Sequence, residues 1–241
     1  MQTVAVIQAR MGSTRLPGKV MREIAGRPMI DRVVERAQKI ANVDEVIVAT
    51  SVLDREKPLV EHLGDLGVSV VRGPEQDVLG RYVKAAEIYS ADAVVRLTGD
   101  CPLLMPEVSE RVVAAFLDGR CNYASNTIEY TYPRGLDTEV ISSETLRYVE
   151  AQATEAPDRE HVTLYIRRHR SRFSVCAVTA DQDRSNLRWT VDEEADLELI
   201  RKIYGETEGK KSGYKDVLAL LRRHPEWKEV NRHVEQKNPL N

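Results

Sequence analysis

Residues 4–19 of this chain read VAVIQARMGSTRLPGK. An apolar run with the length of a buried strand leads directly into a loop that carries glycines, a proline, hydroxyls and cations. Glycine lets backbone N–H groups turn toward a ligand, and successive N–H groups form a concavity that binds anions. Because Arg10, Arg15 and Lys19 add positive charge there, the loop predicts a polyphosphate site. The competing interpretation is a solvated surface turn.

The elements around this loop predict an α/β fold. The predicted strands or extended segments are residues 3–9, 46–50, 68–72, 93–97, 130–141, 173–179 and 187–191. The predicted helices are residues 28–41, 55–66, 78–90, 106–118, 143–152, 159–169, 193–204 and 214–223. Strand–helix alternation is typical of a mostly parallel sheet covered on both faces. We therefore expect a three-layer αβα domain over 1–241 with about seven strands, and an extended arm or insertion at about 120–170, where the alternation changes.

The bulk composition limits the partners. The chain has 241 residues and a net charge of −3, so no overall positive field indicates a nucleic-acid partner. No apolar run approaches the roughly 18 residues that span a membrane, and no leader pattern precedes the first strand. Cys101, Cys121 and Cys176 are odd in number and widely spaced, which argues against a disulfide scaffold or a zinc site and fits a reducing cytoplasm.

Two well-known phosphate-binding motifs do not fit the loop. A Walker loop has four residues between its first glycine and its Gly-Lys pair, and then a Ser or Thr. Here five residues separate Gly12 from Gly18, and Val20 follows Lys19. The Rossmann G-x-G-x-x-G pattern is absent as well. The loop therefore predicts a different solution, in which backbone amides act together with three cations.

The segment Ile7–Lys19 resembles the signature loop of the nucleotide-diphospho-sugar transferases, the GT-A-like nucleotidyltransferases. More narrowly, it resembles the cytidylyltransferase family that includes CMP-Kdo synthetase, acylneuraminate cytidylyltransferase and the spore-coat protein SpsF. Gln8, where the family more often has proline, points to the SpsF branch. The resemblance implies transfer of CMP from CTP to a sugar or sugar acid with release of pyrophosphate. It also implies Mg²⁺ as cofactor and a homodimer formed with the arm.

Asp100 is the first predicted metal ligand. It follows the strand at 93–97 within TGDCP, residues 98–102. Mg²⁺ is usually held by one or two carboxylates together with substrate phosphates. An Asp at the carboxyl end of a strand shares a sheet edge with the cationic loop, although the same Asp could simply begin a turn. Gly-Asp-x-Pro resembles the metal-binding motif of the family, which implies that Asp100 binds the ion.

Asp192 is the second predicted metal ligand. It lies between the predicted strand 187–191 and the helix that follows, so it could instead cap that helix. The segment 191–197 reads VDEEADL and resembles the Val-Asp-x-x-x-Asp-Leu pattern of the family. This resemblance implies that Asp192 binds metal and that Asp196 is structural.

The resemblance also implies which residues hold the nucleotide. Residues 72–82, RGPEQDVLGRY, resemble a stretch of the SpsF branch placed near the base and ribose, although Asp77 could instead cap a helix. The predicted nucleotide-binding residues are Gln8, Ala9, Arg10, Met11, Gly12, Ser13, Arg15, Lys19, Thr50, Arg72, Asp77 and Thr98. The predicted catalytic residues are Arg15, Lys19 and Asp100.

The acceptor site is predicted from two further segments that resemble the SpsF branch, residues 132–140 (YPRGLDTEV) and 158–167 (DREHVTLYIR). Arg134 could pair with a carboxylate or phosphate of the acceptor, and Asp137 or Glu139 could bind its hydroxyls. His161 could contact the acceptor or assist a proton transfer. A purely structural contact is the alternative for Arg134 and for His161.

Three other functions remain open from the sequence. A uridylyl- or guanylyltransferase acting on a sugar 1-phosphate would share the fold. A GT-A glycosyltransferase usually carries Asp-x-Asp after the fourth strand, and this chain lacks it there. A nucleotide-binding protein without activity is disfavoured because Arg15, Lys19, Asp100 and Asp192 are all present.

Overall fold

The structure is a computed structural model that describes residues 1–207 and 212–236. The strands are β1 (Thr3–Gln8), β2 (Glu23–Ile24), β3 (Arg27–Pro28), β4 (Glu45–Ser51), β5 (Val70–Gly73), β6 (Ala93–Thr98), β7 (Tyr123–Ser125), β8 (Glu139–Ser142) and β9 (Val175–Ala177). The α-helices are α1 (Met29–Ala37), α2 (Lys57–Asp65), α3 (Val78–Ile88), α4 (Pro106–Leu117), α5 (Ser143–Gln152), α6 (Ala156–Glu160), α7 (Leu164–Arg168), α8 (Glu194–Thr207) and α9 (Tyr214–Arg223). Short 3₁₀ helices occupy Lys19–Met21, Asp54–Glu56, Arg170–Arg172 and Pro225–Glu229.

The central sheet has seven strands within the described residues, in the order β5-β4-β1-β6-β8-β7-β9. β1 pairs in parallel with β4 and β6, and β4 pairs in parallel with β5. β8 is antiparallel to both of its neighbours, and β9 is parallel to β7. The prediction of a mostly parallel sheet of about seven strands is thus confirmed.

The alternating side chains of β1 explain why helices cover both faces of the sheet. Ala5 and Ile7 belong to one buried cluster, together with residues of α1, α4, α8 and α9. Val4 and Val6 belong to a second cluster on the opposite face, with residues of α3, α5 and α7. A strand buried on both faces needs apolar residues at every position, as residues 4–7 provide. The predicted three-layer arrangement is confirmed.

The carboxyl ends of β1 and β6 meet closely at one edge of the sheet. Gln8 lies opposite Thr98 in the register, and the N–H of Gly99 donates to the carbonyl oxygen of Gln8 at 2.8 Å. A Cβ atom on Gly99 would lie 2.8 Å from the Cβ of Ala9, so only glycine fits this approach. The cationic loop and Asp100 therefore start from adjacent points.

Two predicted strands differ in the structure. Residues 187–191 are extended but form only an isolated bridge, between Arg134 and Arg188. Of residues 130–141, only 139–141 enter a strand, because the preceding residues form turns that pack against the segment around Trp189. Both segments show apolar alternation, but residues around Arg134 pair with residues 187–189 instead of with a strand of the sheet.

The predicted helix at 159–169 is divided into α6 and α7. Val162 separates them with a φ of 48°, which is a strained conformation for a β-branched residue. The region predicted as an arm, about 120–170, contributes β7 and β8 to the central sheet. A role of this region in dimerisation stays a prediction.

One cysteine prediction is wrong. Cys121 and Cys176 form a disulfide, with Cα atoms 5.8 Å apart, while Cys101 is free and buried. Cys121 lies just before β7 and Cys176 lies on β9, so the pairing of these two neighbouring strands brings the cysteines near each other. Sequence spacing does not reveal such a non-local pairing.

Within the described residues, no helix combines the length and the apolar character that a membrane span requires.

Candidate active site

A cavity of about 330 Å³ opens at the carboxyl ends of β1 and β6. Its size is within the range of small-molecule sites. It is lined by Gln8, Ala9, Arg10, Ser13, Thr14, Arg15, Lys19, Val20, Val78, Arg81, Thr98, Asp100, Glu160, His161 and Asp192. Four of these side chains are basic cations and three are carboxylates, so the lining suits an anionic ligand.

The loop after β1 is folded by its own backbone. The carbonyl oxygen of Met11 accepts hydrogen bonds from the N–H groups of Ser13 and Gly18, at 2.9 and 3.0 Å. Gly18 closes the turn with a φ of 66°. Within the described residues, the backbone N–H groups of Arg10, Gly12, Thr14 and Arg15 donate to no protein acceptor. No protein acceptor therefore competes with an anion for these N–H groups, and the predicted polyphosphate site stays a prediction.

Lys19 joins this loop to both predicted metal ligands. Its Nζ lies 2.8 Å from Oδ2 of Asp100 and 2.8 Å from Oδ1 of Asp192, and it donates to the carbonyl oxygen of Val191. Burial by itself would lower the pKa of Lys19, but the two carboxylates outweigh it and raise that pKa. Burial disfavours the ionised form of Asp100, yet Lys19 holds the pKa of this carboxyl at about 2. All three groups are therefore charged at neutral pH.

Asp192 is surrounded by cations. Its Oδ2 lies 2.9 Å from Arg15 and 2.7 Å from Arg188, and its backbone N–H donates to Asp196 at 2.9 Å. Burial raises the pKa of Asp192, but the neighbouring Lys19 outweighs this effect and lowers it. The alternative role as a helix cap does not fit, because the Asp192 carboxylate faces side chains and the fully buried Asp196 accepts the backbone N–H groups of residues 192 and 193.

The carboxyl-terminal segment supports this arrangement. Asn231 donates to the carbonyl oxygen of Arg188 at 3.0 Å and to Oδ1 of Asp196 at 2.8 Å. Gln236 accepts a hydrogen bond from the Arg188 guanidinium. The side chains that position Asp192 are thus themselves held by residues far along the chain.

The two loops that carry the acids are bonded to each other. The carbonyl oxygen of Asp100 accepts from the N–H of Val191 at 2.8 Å and from the Thr190 hydroxyl at 3.2 Å. Gly135, with a φ of 102°, packs against this second loop, where an added Cβ would lie 2.5 Å from the nitrogen of Thr190. The relative position of the acids is therefore fixed by backbone contacts.

The donor set fits Mg²⁺. Asp100 and Asp192 supply hard oxygen ligands that converge on one point, which Lys19 marks, and both line the cavity. Among the described residues, no third His, Cys, Asp or Glu joins them into a metal cluster. Mg²⁺ commonly binds through one or two carboxylates and completes its shell with phosphate oxygens and water, so two acids are sufficient.

Several predicted nucleotide-binding residues do not line the cavity. They are Met11, Gly12, Thr50, Arg72 and Asp77. Thr50 is fully buried and donates to Glu56, whose carboxylate also accepts the N–H of Met11. Arg72 donates to the carbonyl oxygen of Ser51 at 3.0 Å. Asp77 caps α3 and pairs with Arg159, as its alternative interpretation predicts.

The predicted acceptor residues are separated by the structure. His161 lines the cavity, whereas Arg134, Asp137 and Glu139 do not. Glu139 is only 1% exposed and binds Arg96, Arg167, Tyr123 and Thr163, so its position is structural. The Arg134 guanidinium stacks on the Tyr130 ring. Burial raises the pKa of Asp137 to about 6.

The sequence interpretation missed five lining residues, which are Thr14, Val20, Val78, Arg81 and Glu160. Arg81 is the most informative of these. It is 3% exposed, and burial lowers its pKa, with Arg10 adding to the effect. Its place one helical turn into α3, a helix that begins beside the loop, was a signal that could have identified it.

Comparisons with known proteins agree with this geometry. The profile of a family described as cytidylyltransferase matches residues 4–220. The spore coat polysaccharide biosynthesis protein SpsF of Bacillus subtilis is 34% identical over 229 residues, which cover 92% of this chain and 94% of that protein. A cytidylyltransferase structure from Leptospira borgpetersenii has a TM-score of 0.91 and 29% identity, and the match covers 99% of each chain.

A second solved structure is more distant. The structure of CMP:2-keto-3-deoxy-manno-octonic acid synthetase complexed with CTP has a TM-score of 0.67 and 22% identity, and the match covers 86% of this chain and 99% of that one. This likeness shows the shared fold. The family match over most of the chain and the similarity to SpsF also show the family. The chain belongs to the cytidylyltransferase family.

Proposed function

We propose that this protein transfers CMP from CTP to a hydroxyl group of a sugar or sugar acid and releases pyrophosphate. The observation that carries the proposal is Lys19, which bridges Asp100 and Asp192 at 2.8 Å beside a loop with unpaired N–H groups. The family adds the nucleotide, since a distant fold relative is a synthetase complexed with CTP. The name of SpsF supports a role in the synthesis of a surface polysaccharide.

The triphosphate binds in the loop after β1 in this proposal. Its phosphates are received by the unpaired N–H groups of the cavity-lining loop residues 10, 14 and 15 and by the cations Arg10, Arg15 and Lys19. Lys19 stabilises the charge that develops on pyrophosphate. Asp100 and Asp192 would hold Mg²⁺, which supplies neutralising charge for the triphosphate. Catalysis of this kind rests on positioning and on electrostatic stabilisation.

The chemical step joins the acceptor oxygen to the α-phosphorus of CTP. The bond from this phosphorus to the α,β-bridging oxygen breaks, and pyrophosphate leaves with the electron pair. The hydroxyl proton passes to His161 in this proposal. Burial lowers the pKa of His161, so the imidazole is neutral at pH 7 and able to accept a proton.

The acceptor enters on the side of Glu160 and His161, which line the cavity. Arg134 and Asp137 lie outside the lining, and we propose that they bind the more distant end of the acceptor. A homodimer and a cytoplasmic location, both predicted from the sequence, belong to this proposal as well. The location now rests on the family's activity, because the disulfide removes the support that the cysteine spacing gave it.

A nucleotide and acceptor screen tests the proposal. CTP, UTP, GTP and ATP are each incubated with sugar acids and phosphorylated sugars, with and without Mg²⁺, and released pyrophosphate is measured. We expect release with CTP, a sugar-type acceptor and Mg²⁺ together. Release with UTP or GTP and a sugar 1-phosphate would replace the proposal with the corresponding transferase. Binding of nucleotide without release under any condition would favour a binding protein without activity.

A further inference from the structure

The side chain of Gln8 is held by hydrogen bonds to its oxygen atom. Gln8 ends β1 and lines the cavity, and its side-chain oxygen accepts hydrogen bonds from Nη2 of Arg96 at 3.1 Å and from the Tyr82 hydroxyl at 3.3 Å. Among the described residues, the amide nitrogen of Gln8 has no hydrogen-bond partner. The free end of the side chain is thus the donor end.

The orientation follows from chemistry and does not depend on how the amide atoms are assigned. A guanidinium group only donates hydrogen bonds, so the Gln8 oxygen must face Arg96 and the NH₂ group must face away. The Tyr82 hydroxyl has one proton and lies within reach of two backbone carbonyl oxygens as well, at 3.2 and 3.3 Å. Arg96 is therefore the stronger anchor of the two.

Arg96 is fixed in turn by Glu139. The two side chains form an ion pair, and Glu139 also accepts from Tyr123 and from Thr163. Burial disfavours the charge on Glu139, but Arg96 keeps the pKa of this carboxyl at about 2. The ion pair is therefore present at every physiological pH, and the row Glu139–Arg96–Gln8 runs from the buried interior to the cavity wall.

We infer that Arg96 is a positioning residue that turns the Gln8 NH₂ group toward the nucleobase, where it donates to N3 of cytosine. Cytosine has an acceptor at N3, whereas uracil has an N–H donor at that position. Two donors facing each other cannot form a hydrogen bond, and a buried polar group left unpaired is costly. The row Glu139–Arg96–Gln8 thus selects CTP over UTP. This inference rests on the proposed function.

The first test is Gln8→Glu. A carboxylate keeps the contact with Arg96 but offers only acceptors to the base. We expect the ratio of kcat/KM for CTP to that for UTP to fall by about tenfold to a hundredfold. An unchanged ratio in this variant would overturn the inference, and so would a wild-type protein that does not distinguish the two nucleotides.

A matched pair of double variants isolates Arg96. The two variants are Arg96→Gln/Glu139→Gln and Arg167→Gln/Glu139→Gln. Each removes the Glu139 charge and one of the two arginines that pair with Glu139 within the described part of the chain, but of these two arginines only Arg96 touches Gln8. We expect the ratio to fall further in the first variant than in the second, because the second keeps the Arg96 donor to Gln8 and loses only the ion pair that anchors it. Equal ratios in the two variants would show that Arg96 acts on stability alone and would reject its role as a positioning residue.

Binding measurements separate this inference from the proposed function. If the wild type releases no pyrophosphate, the proposed reaction fails, and the CTP and UTP dissociation constants from titration calorimetry then replace kcat/KM in every comparison above. If a double variant does not fold, Gln8→Glu decides, because Gln8 is a partly exposed residue of the cavity wall.

Discussion

Lys19 shows how much one side chain can organise. The sequence predicts that Lys19 lies beside a phosphate, because it is in a glycine-containing loop with two arginines, and this contact stays a prediction. Its bridge between Asp100 and Asp192 is not predictable, since the acids are 81 and 173 residues away along the chain. We expect such a buried charge to affect both stability and activity, and the two effects can be measured separately.

We expect Lys19→Met to lower the rate of pyrophosphate release by about 10²–10³-fold, because it removes a preorganised charge. It also leaves the two carboxylates facing each other without their cation, so the midpoint of urea unfolding should fall. Adding Asp100→Asn should recover stability but not the rate. Lys39→Met is the control, since Lys39 is exposed and, among the residues that the structure describes, pairs with Glu35 alone. A Lys19→Met variant with wild-type turnover would contradict the site.

The raised pKa of Asp137 leads us to expect a stability that depends on pH. Burial raises its pKa to about 6, above the value of an unfolded chain. Between about pH 4 and pH 6 the unfolded state has lost this proton while the folded state retains it, so stability falls as pH rises. We expect the free energy of unfolding of Asp137→Asn to be higher than that of the wild type by about 1–3 kcal/mol at pH 8. Below pH 4 the two free energies should be equal. Urea titrations at both pH values measure it, and a pH-independent difference would reject it.

Among the elements, the connections decide the site more than the helices and strands do. The turn at 133–136 packs on the segment 187–191, where the N–H of Trp189 donates to the carbonyl oxygen of Arg134 at 2.6 Å. This segment leads directly to Asp192. Any disturbance of the turn is therefore transmitted to a predicted metal ligand.

We expect Gly135→Ala to destabilise the protein by about 2 kcal/mol or more and to reduce turnover, since its Cβ would collide with backbone atoms of residues 189 and 190. Gly26→Ala is the matched control. Gly26 also has a positive φ, of 74°, but nothing lies within 4 Å of an added Cβ. Its cost should be about 1 kcal/mol, with turnover unchanged. Equal effects of the two substitutions would show that backbone conformation alone matters.

The elements with a long periodic pattern were predictable, and those fixed by distant partners were not. β1, β4 and β6 follow from apolar runs, and α4 follows from its apolar spacing and its first-turn Pro106. The break at Val162 was not predictable, because the strained φ is imposed by packing of a fully buried residue. Thr50 shows the same limit, since its burial against Glu56 depends on how the chain turns after β4.

At the scale of the whole molecule, the sheet has two unlike halves. The parallel half, β5-β4-β1-β6, provides the loop and Asp100, and the mixed half, β8-β7-β9, ends at the Cys121–Cys176 disulfide. Neither cysteine lines the cavity. We therefore expect the disulfide to stabilise the outer strands without affecting the site.

Reducing the Cys121–Cys176 disulfide tests whether it affects stability without affecting the site. We expect dithiothreitol to lower the melting temperature of the wild type, by an amount that corresponds to about 2–4 kcal/mol for a loop of this length. The double variant Cys121→Ser/Cys176→Ser should melt at the lower temperature with and without the reductant. Both proteins should keep the same turnover. If the reductant shifts both proteins equally, the disulfide does not stabilise the fold.

The contacts of Asn231 and Gln236 with Arg188 and Asp196 also bear on biosynthesis. A ribosome releases the amino-terminal residues first, so the loop at residues 10–19 emerges long before the amides that brace Arg188. A nascent chain that has emerged only to residue 230 contains every residue of the cavity lining and still lacks this brace. The proposed site is therefore braced only after residues 231 and 236 have been synthesised.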